Sequence, residues 1–380
     1  MPITLIATAA FGLEATVKRE VVKLGFPVAA SDNGSIAFKA DFTDIPKANI
    51  WLRSADRVLL VMGEFTAVTF DELFEGTKAL PWGDYIPKNG RFTVTGKSVK
   101  SALFSVPDCQ SIVKKAVVEK LKEKYRLDYF EETGAEYTIQ AALRENKVTI
   151  TVDTSGVGLH KRGYRASQAA APIKETMAAA LIELSYWRKD RILLDPFCGS
   201  GTIPIEAAMM ARNIAPGLTR RFASERWEQV PVAAWSQERA AAKAAVKRGF
   251  MPKIYASDID KEVLRMARLN AENVGVADCI EFSQKDIKDV KLPGEYGVLI
   301  TNPPYGERMS ELNDARVLYK SLGGLVKNEK SWSAYVVTAD EDFERIFGKK
   351  ADARRKLFSG ALKIDYYQYF GKKPERSNHE

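Results

Sequence analysis

Residues 192–208 read ILLDPFCGSGTIPIEAA, and the fold turns on them. An apolar run, Ile192 to Leu194, ends at Asp195. A turn bearing Gly199 and Gly201 follows, and a helical pattern opens at Thr202. A strand, a glycine turn and a helix amino terminus in that order build the crevice at which doubly wound sheets receive nucleotide-like ligands. Glycines let the backbone close on a ligand with no Cβ in the way. No Lys-Ser/Thr pair follows them, so the turn is not a P-loop, and the full G-x-G-x-x-G of a dinucleotide site is absent. The bland alternative is a tight strand–helix turn with incidental glycines.

The same grammar repeats downstream. RILLDPF, KIYASDID, CIEFSQKD, GVLITNPP and SAYVVTAD are short apolar strands between residues 191 and 340. Helical stretches such as GTIPIEAAMMARN, KEVLRMARLNAENVG and ARVLYKSLGGLVKN lie between most of them. Strands that are apolar on both faces and alternate with helices predict a mostly parallel, doubly wound α/β sheet of Rossmann-like type. KLFSGALKIDYYQYFG, residues 356–371, holds no helix signal and predicts a closing hairpin with an antiparallel edge. Its crowded Tyr366, Tyr367 and Tyr369 are read as core.

The front of the chain follows a different pattern. ITLIATAAF reads as a strand, LEATVKREVVKLG as a helix ended by Gly25, GSIAFKA as a strand, IPKANIWLRSA as a helix and RVLLVMGEF as a strand. This is a small α+β layer of ferredoxin-like kind. TFDELFEGTKAL (helix), RFTVTGKSV (strand) and DCQSIVKKAVVEKLKEKY (long amphipathic helix) come next. AEYTIQAALREN and KVTITVDTSG then form two strands turning at Asn146. LHKRGYRASQAAAPIKET, Leu159 to Thr176, mixes Gly, Pro, Ala and basic residues without a period and reads as a boundary. The expected organisation is therefore residues 1–55, 56–158, a connecting segment 159–176, and 177–380.

Composition excludes several classes. With 46% hydrophobic and 28% charged residues the chain has the make-up of a globular protein with a core. No apolar run is long enough to cross a bilayer. MPITLIATAAFGLEA lacks a basic n-region and reads as a strand entering a helix rather than a signal peptide. Three widely spaced cysteines, Cys109, Cys198 and Cys279, fit a reducing cytoplasm and no disulfide framework. Two histidines, His160 and His379, supply neither a metal-ligand set nor a histidine-based triad, so no metal is expected. The net charge is +8. Residues 1–160 carry 20 basic and 20 acidic residues, so the excess lies in the remainder, where a polyanionic partner is as good a reading as a mildly basic surface.

Three strand ends offer ligand-binding groups. Asp195, with Phe197, Gly199, Gly201 and Thr202 in the turn after it, would repel a pyrophosphate but suits the ammonium of a methionine moiety. Asp258, at the end of KIYASDID, suits ribose hydroxyls. Ile259 beyond it suits an adenine face, and Asp260 caps the following helix. Asp286 suits an adenine amino group, or simply forms a turn.

A fourth strand ends in TNPPYGER, residues 301–308. An exocyclic amine of a nucleobase is a poor nucleophile, because its lone pair is delocalised into the ring. Two acceptors, one for each N–H, favour a more tetrahedral nitrogen. The Asn302 side-chain oxygen and the Pro303 carbonyl can be those acceptors, held in place by the fixed φ of Pro303 and Pro304. Tyr305 supplies a flat face for a base taken out of its stack. Orientation rather than a strong base would carry the acceleration. The alternative is a rigid exposed turn.

DPFCGSG followed about a hundred residues later by NPPYGER resembles the S-adenosylmethionine-dependent amino methyltransferases. Together with the α+β front half, it is similar to the THUMP-domain RNA guanine-N2 methyltransferases of the bacterial 23S rRNA large-subunit family. SALFSVPDCQSIVKKAVVEKL resembles the THUMP helix region, and LHKRGYR with APIKET resembles the entry to the catalytic domain. The resemblance spans nearly the whole chain. It implies a ferredoxin-like element, a THUMP RNA-binding domain and a class I methyltransferase domain, with S-adenosyl-L-methionine as cofactor and S-adenosyl-L-homocysteine as product. It also implies that Lys174, Glu175 and Thr176 lie near the cofactor. RNA contacts are expected at Lys97, Lys100, Lys114, Lys115, Lys161, Arg162 and Arg165, with the run 349–356 as a further candidate. The same chemistry on tRNA, an amino methyltransferase of DNA, and a catalytically silent RNA-binding factor stand as alternatives.

Overall fold

The computed structural model describes residues 2–165, 173–305, 309–360 and 362–373. Its contacts divide into two compact units. The first comprises Met1–Ala9, Lys18–Leu159 and Arg220–Ala241, and the second Ala10–Val17, His160–Thr219 and Ala242–Glu380.

The first unit is built on a seven-stranded sheet. Its strands are β1 (Ile3–Thr8), β2 (Val28–Asp32), β3 (Ser35–Ala40), β4 (Arg57–Thr66), β5 (Arg91–Val99), β6 (Glu136–Arg144) and β7 (Lys147–Asp153), in the order β2-β3-β1-β4-β7-β6-β5. The helices are α1 (Glu14–Lys23), α2 (Ile45–Trp51), α3 (Phe70–Lys78), α4 (Trp82–Tyr85) and α5 (Val106–Tyr125). All pairings are antiparallel except β5 with β6, which α5 connects. Alternation along β1 buries Ile3, Leu5 and Ala7, the signature of a sheet with one covered face. Along α5, Cys109, Val113, Ala116, Val117 and Leu121 fall on one helical face and are buried. The β6–β7 turn is the two-residue hairpin expected at Asn146, with Glu145 at φ 52° and Asn146 at φ 66°. Arg220–Ala241 joins this unit through aromatic packing: Trp227 stacks on Tyr137 at 4.9 Å and donates its indole N–H to the Glu136 carbonyl at 3.0 Å.

The second unit is the doubly wound sheet. Its strands are β8 (Leu193–Asp195), β9 (Ile254–Asp258), β10 (Ile280–Gln284), β11 (Val298–Thr301), β12 (Ser333–Thr338), β13 (Ala353–Ser359) and β14 (Leu362–Tyr369). They lie in the order β10-β9-β8-β11-β12-β14-β13. The first five are parallel, and β14 and β13 close the sheet antiparallel, as the hairpin pattern requires. Its helices are α6 (Glu175–Leu184), α7 (Thr202–Ala211), α9 (Lys261–Asn273), α10 (Met309–Val326) and α11 (Phe343–Phe347), while most of α8 (Val232–Ala244) belongs to the first unit. The core has two halves because the strands bury both faces. Leu193, Val298, Ile300, Tyr335 and Tyr366 point to one side with α6, α7 and α9. Leu194, Leu299, Val336, Tyr367 and Tyr369 point to the other with α10 and α11. The three tyrosines of β14 are core, as read from the sequence. β9 follows β8 on one flank and β11 lies on the other, so the strand order reverses at β8 and leaves a crevice at its carboxyl end. No helix of the described residues is long and apolar enough to cross a membrane.

Adjacent glycines in α10 give a test of this packing. A Cβ at Gly323 would meet the backbone carbonyl oxygen of Phe347 in α11 at 2.0 Å, whereas one at Gly324 meets nothing within 4 Å. Gly323→Ala is expected to lose roughly 1–3 kcal/mol or more in urea unfolding. Gly324→Ala should be neutral or gain up to about 1 kcal/mol from helix propensity. Equal effects at the two positions would refute the α10–α11 contact.

Candidate active site

A cavity of about 470 Å³ opens at the carboxyl ends of β8, β9, β10 and β11. Asp195, Phe197, Gly199 and Thr202 line it from the β8–α7 turn, Asp258 and Ile259 from β9, Asp286 from β10, and Asn302 and Pro304 from β11. Residues separated by more than a hundred positions in the chain thus share one crevice.

Two carboxylates organise it. Asp195 is 1% exposed. Its Oδ1 accepts from the Thr301 hydroxyl at 2.7 Å and from the Phe197 N–H at 3.2 Å. Burial pushes its carboxyl up to about 7, and the nearby Asp258 charge adds to the rise. The two hydrogen bonds pull the other way. Asp258 accepts from the Gly199 N–H at 2.9 Å through one oxygen and from the Asp260 N–H at 3.1 Å through the other. It therefore pins the glycine turn from the neighbouring strand. Asp260 caps α9, accepting from the N–H groups of Glu262 (2.8 Å) and Val263 (3.3 Å). Asp286 accepts from the Lys288 N–H at 3.0 Å, which makes it a turn former that also faces the cavity.

Gly199 and Gly201 both have positive φ, 52° and 82°. A Cβ on Gly201 would stand 3.1 Å from the Ala267 Cβ and 3.2 Å from Ile205 Cδ1. Gly201 therefore serves the packing of α7 against α9 and is absent from the cavity wall. At Gly199 a Cβ would meet nothing within 4 Å, so the turn stays open toward the crevice.

The β11 end folds onto itself. The Tyr305 phenol donates to Asn302 Oδ1 at 2.5 Å, and the Pro304 carbonyl accepts from the Tyr319 phenol of α10 at 2.8 Å. Burial raises the Tyr305 phenol, and its bond to Asn302 opposes this. Pro303 is buried, and neither it nor Tyr305 is part of the cavity wall. Gly306, Glu307 and Arg308 of TNPPYGER, and Ala171 and Pro172 of APIKET, lie outside the described residues.

The connecting segment behaves differently from its sequence reading. Ile173 reaches the cavity, but Lys174 is exposed, and Glu175 and Thr176 are buried away from it. Arg165 ties the segment to the glycine turn. It donates to Glu175 Oε1 (2.6 Å), the Ile173 carbonyl (2.9 Å), Thr202 Oγ1 (3.0 Å) and Ser200 Oγ (3.2 Å). Arg162 is 3% exposed and pairs with Glu206 at 3.4 Å. These two arginines, read from the sequence as phosphate contacts, are instead spent on internal carboxylates, because a buried acid needs a cation more than the surface does. Lys97, Lys100, Lys114, Lys115 and Lys161 are exposed, and Lys115 also lies over the Phe74 ring at 5.9 Å. Val263 and Met266 of α9, Ile287 after β10 and Leu318 of α10 supply apolar walls that the sequence reading missed. Val263 was legible in principle, three residues past a capping aspartate, whereas Leu318 had no local signal. Among the described residues no group of His, Cys, Asp or Glu is placed to hold a metal ion.

Comparison with known proteins gives these parts a context. The profile of the RMKL-like methyltransferase domain matches residues 162–368, that of the RlmL ferredoxin-like domain residues 4–59, and that of the THUMP domain residues 67–153. YpsC of Bacillus subtilis (strain 168), provisionally named an RNA methyltransferase, is 50% identical over 99% of this chain and 98% of its own length. The ribosomal RNA large subunit methyltransferase K/L of Shewanella baltica (strain OS155) is 34% identical over 97% of this chain but 53% of its own. The chain thus spans about half the length of that relative. Two crystal structures share the whole architecture. One is described as a predicted N6-adenine-specific DNA methylase from Listeria monocytogenes, with TM-score 0.93 and 49% identity over 98% of this chain and 97% of that one. The other is SMU.472, provisionally a methyltransferase, complexed with SAH, with TM-score 0.92 and 43% identity over 98% and 99%.

The raised Asp195 carboxyl has a sign that can be checked. Between its ordinary value of about 4 and its folded value of about 7, the native state holds a proton that the unfolded chain has released. Its contribution to stability therefore falls as pH rises through that window and is level above it. In ligand-free protein, Asp195→Asn is expected to match the parent near pH 4, to gain on it steadily up to about pH 7 and to hold a level advantage above that in urea unfolding. Parallel pH profiles for the two proteins would contradict the burial of this carboxyl.

Proposed function

Because the chain belongs to the RMKL-like methyltransferase family, we propose that it is an S-adenosylmethionine-dependent RNA methyltransferase acting on the exocyclic N2 amine of a guanine in large-subunit ribosomal RNA. The observation that carries this reading is the shared cavity: Asn302 and Pro304 face the same space as Asp195, Gly199, Asp258 and Asp286. The cofactor fits the donor set. A buried carboxyl at Asp195 suits an ammonium, Asp258 suits vicinal hydroxyls, and Ile259, Met266 and Ile287 offer flat apolar contact beside Asp286. The cofactor, when bound, supplies an electrophilic methyl group on sulfonium sulfur.

The residues of the chain hold and aim the amine. Asn302 Oδ1 accepts one amine N–H, sharing that oxygen with the Tyr305 phenol or displacing it. The second acceptor role is given to the Pro303 carbonyl, next to the cavity wall rather than in it, because the Pro304 carbonyl already accepts from Tyr319. Two acceptors localise the nitrogen lone pair and orient it, and alignment of this kind supplies much of a methyl-transfer rate. With the cofactor bound, transfer of its methyl group would leave S-adenosylhomocysteine and an acidic alkylated nitrogen whose proton water can take, so the chain need supply no histidine or metal for the step. Tyr305 offers a stacking face. The names of the relatives support the RNA class of substrate, with ribosomal RNA specified by the K/L protein.

A second reading, methylation of DNA adenine, draws on the description of the Listeria structure. Labelled S-adenosylmethionine offered with large-subunit rRNA, tRNA and duplex DNA from a deletion strain separates the readings, with the product nucleoside read by mass spectrometry. N2-methylguanosine in rRNA supports the proposal. The same nucleoside in tRNA moves the substrate, and N6-methyladenine in DNA overturns the assignment. No heat with S-adenosylhomocysteine in calorimetry would mark a silent RNA-binding factor. Asn302→Ala is expected to keep S-adenosylhomocysteine affinity and to lower single-turnover transfer by roughly two orders of magnitude or more. Asp258→Ala should instead weaken S-adenosylhomocysteine binding first, since it also frees the Gly199 N–H.

A further inference from the structure

Tyr319 belongs to no motif in the sequence, yet its side chain is fully buried against Pro304 of the segment that follows β11. Its phenol oxygen lies 2.8 Å from the Pro304 carbonyl and 3.0 Å from Thr338 Oγ1. A carbonyl oxygen can only accept, so the one phenolic proton is committed to Pro304, and Thr338 must then donate to the phenol. The Asp340 N–H donates to Thr338 Oγ1 at 3.1 Å. A single file of hydrogen bonds therefore runs from the end of β12, through α10, into the turn after β11, with every proton pointing toward Pro304. Such a chain polarises cooperatively in a dry interior. Burial, the main cause, pushes the Tyr319 phenol up to about 12, so it stays a donor across the working pH range.

The far end of the file is anchored. Arg316, one turn before Tyr319 on α10, donates to both Asp340 carboxylate oxygens at 2.9 and 3.1 Å, and the Tyr367 phenol donates to the Asp340 carbonyl at 3.3 Å. The Tyr319 ring packs edge-on against Phe343 at 5.1 Å. The hydroxyl is thus held from a rigid side, and the Pro304 carbonyl is what it holds.

We propose that Tyr319 is a positioning residue for methyl transfer: its hydrogen bond to the Pro304 carbonyl fixes the rotation of the turn and so aims Asn302 and the Pro303 carbonyl at the amine. The inference rests on the function proposed above. It assigns the two proline carbonyls different duties, one structural and one toward substrate. Tyr305 latches the same turn from within through Asn302, so the turn is held by one phenol from inside and another from the helix behind it.

The test uses the full-length protein and Tyr319→Phe, which keeps the ring and its Phe343 contact. Hydrogen exchange of the segment carrying Asn302 to Tyr305 is measured together with S-adenosylhomocysteine binding by calorimetry and steady-state methylation of rRNA from a deletion strain. Faster exchange in that segment alone is expected, with S-adenosylhomocysteine affinity and the KM for S-adenosylmethionine unchanged within about twofold and kcat lower by about ten- to hundredfold. Asn302→Ala combined with Tyr319→Phe should lose less than the product of the two single losses, because Tyr319 acts in part through Asn302. Unchanged exchange overturns the proposal, whether or not the parent enzyme methylates RNA. An unchanged kcat in an active enzyme overturns it as well, as does a loss shared equally by kcat and S-adenosylhomocysteine affinity. A parent that transfers no methyl to RNA refutes the functional reading, and the exchange result still decides whether Tyr319 holds the turn.

Discussion

Two buried or half-buried carboxylates hold three strand ends together, and the rest of the second unit is arranged around them. Asp195 at the end of β8 accepts from Thr301 at the end of β11, and Asp258 at the end of β9 accepts from Gly199 in the turn after β8. A carboxylate taken out of water is costly unless it is hydrogen-bonded. Each of these aspartates therefore has a preferred place set by its partners, and each partner sits on a different chain segment. β8 is only three residues long. Its register against both neighbours is weakly specified by the ladder alone, and the side-chain ties across its end supply what the ladder lacks. The crevice left at this strand is the one that the reversal of strand order dictates.

The economy of the site follows from the reaction it is proposed to serve. Methyl transfer from a sulfonium needs alignment and a lone pair, and neither requires an ionisable base. Among the described residues the hydrogen-bonding groups at the Asn302 turn are accordingly neutral: two phenols, a side-chain amide and two backbone proline carbonyls. The charged groups of the cavity wall lie apart from it, at the ends of β8 and β9 and just after β10. One crevice thus carries a charged wall and a neutral wall, and the strand order separates them.

Much of this was legible from local pattern. Strands buried on both faces left apolar runs, and their ends were marked by Asp195, Asp258, Asp286 and Asn302, all of which line the cavity. The closing hairpin was visible because no helical period intervenes between residues 356 and 371. β2 was missed because it is an edge strand with almost no buried side chain, so it carries no hydrophobic alternation. The return of Arg220–Ala241 to the first unit was missed because it depends on Trp227 finding Tyr137, ninety residues away, a pairing that no periodicity encodes. Arg162 and Arg165 were misread for a related reason. A basic cluster in a glycine-bearing linker looks solvated, and only the positions of Glu206 and Glu175 show that it faces inward.

What the sequence determined by itself was the set of elements and the identity of the strand-end residues, because apolar period, glycine turns and proline rigidity act over a few neighbouring positions. What the tertiary structure alone decided was which of those residues share a space and which way each polar group points. Asp258 clasps Gly199, Tyr319 reaches Pro304, and Arg165 is drawn to Glu175. These contacts join segments that are distant in the chain. They depend on desolvation and hydrogen-bond satisfaction in a packed interior, which no local stretch of sequence records.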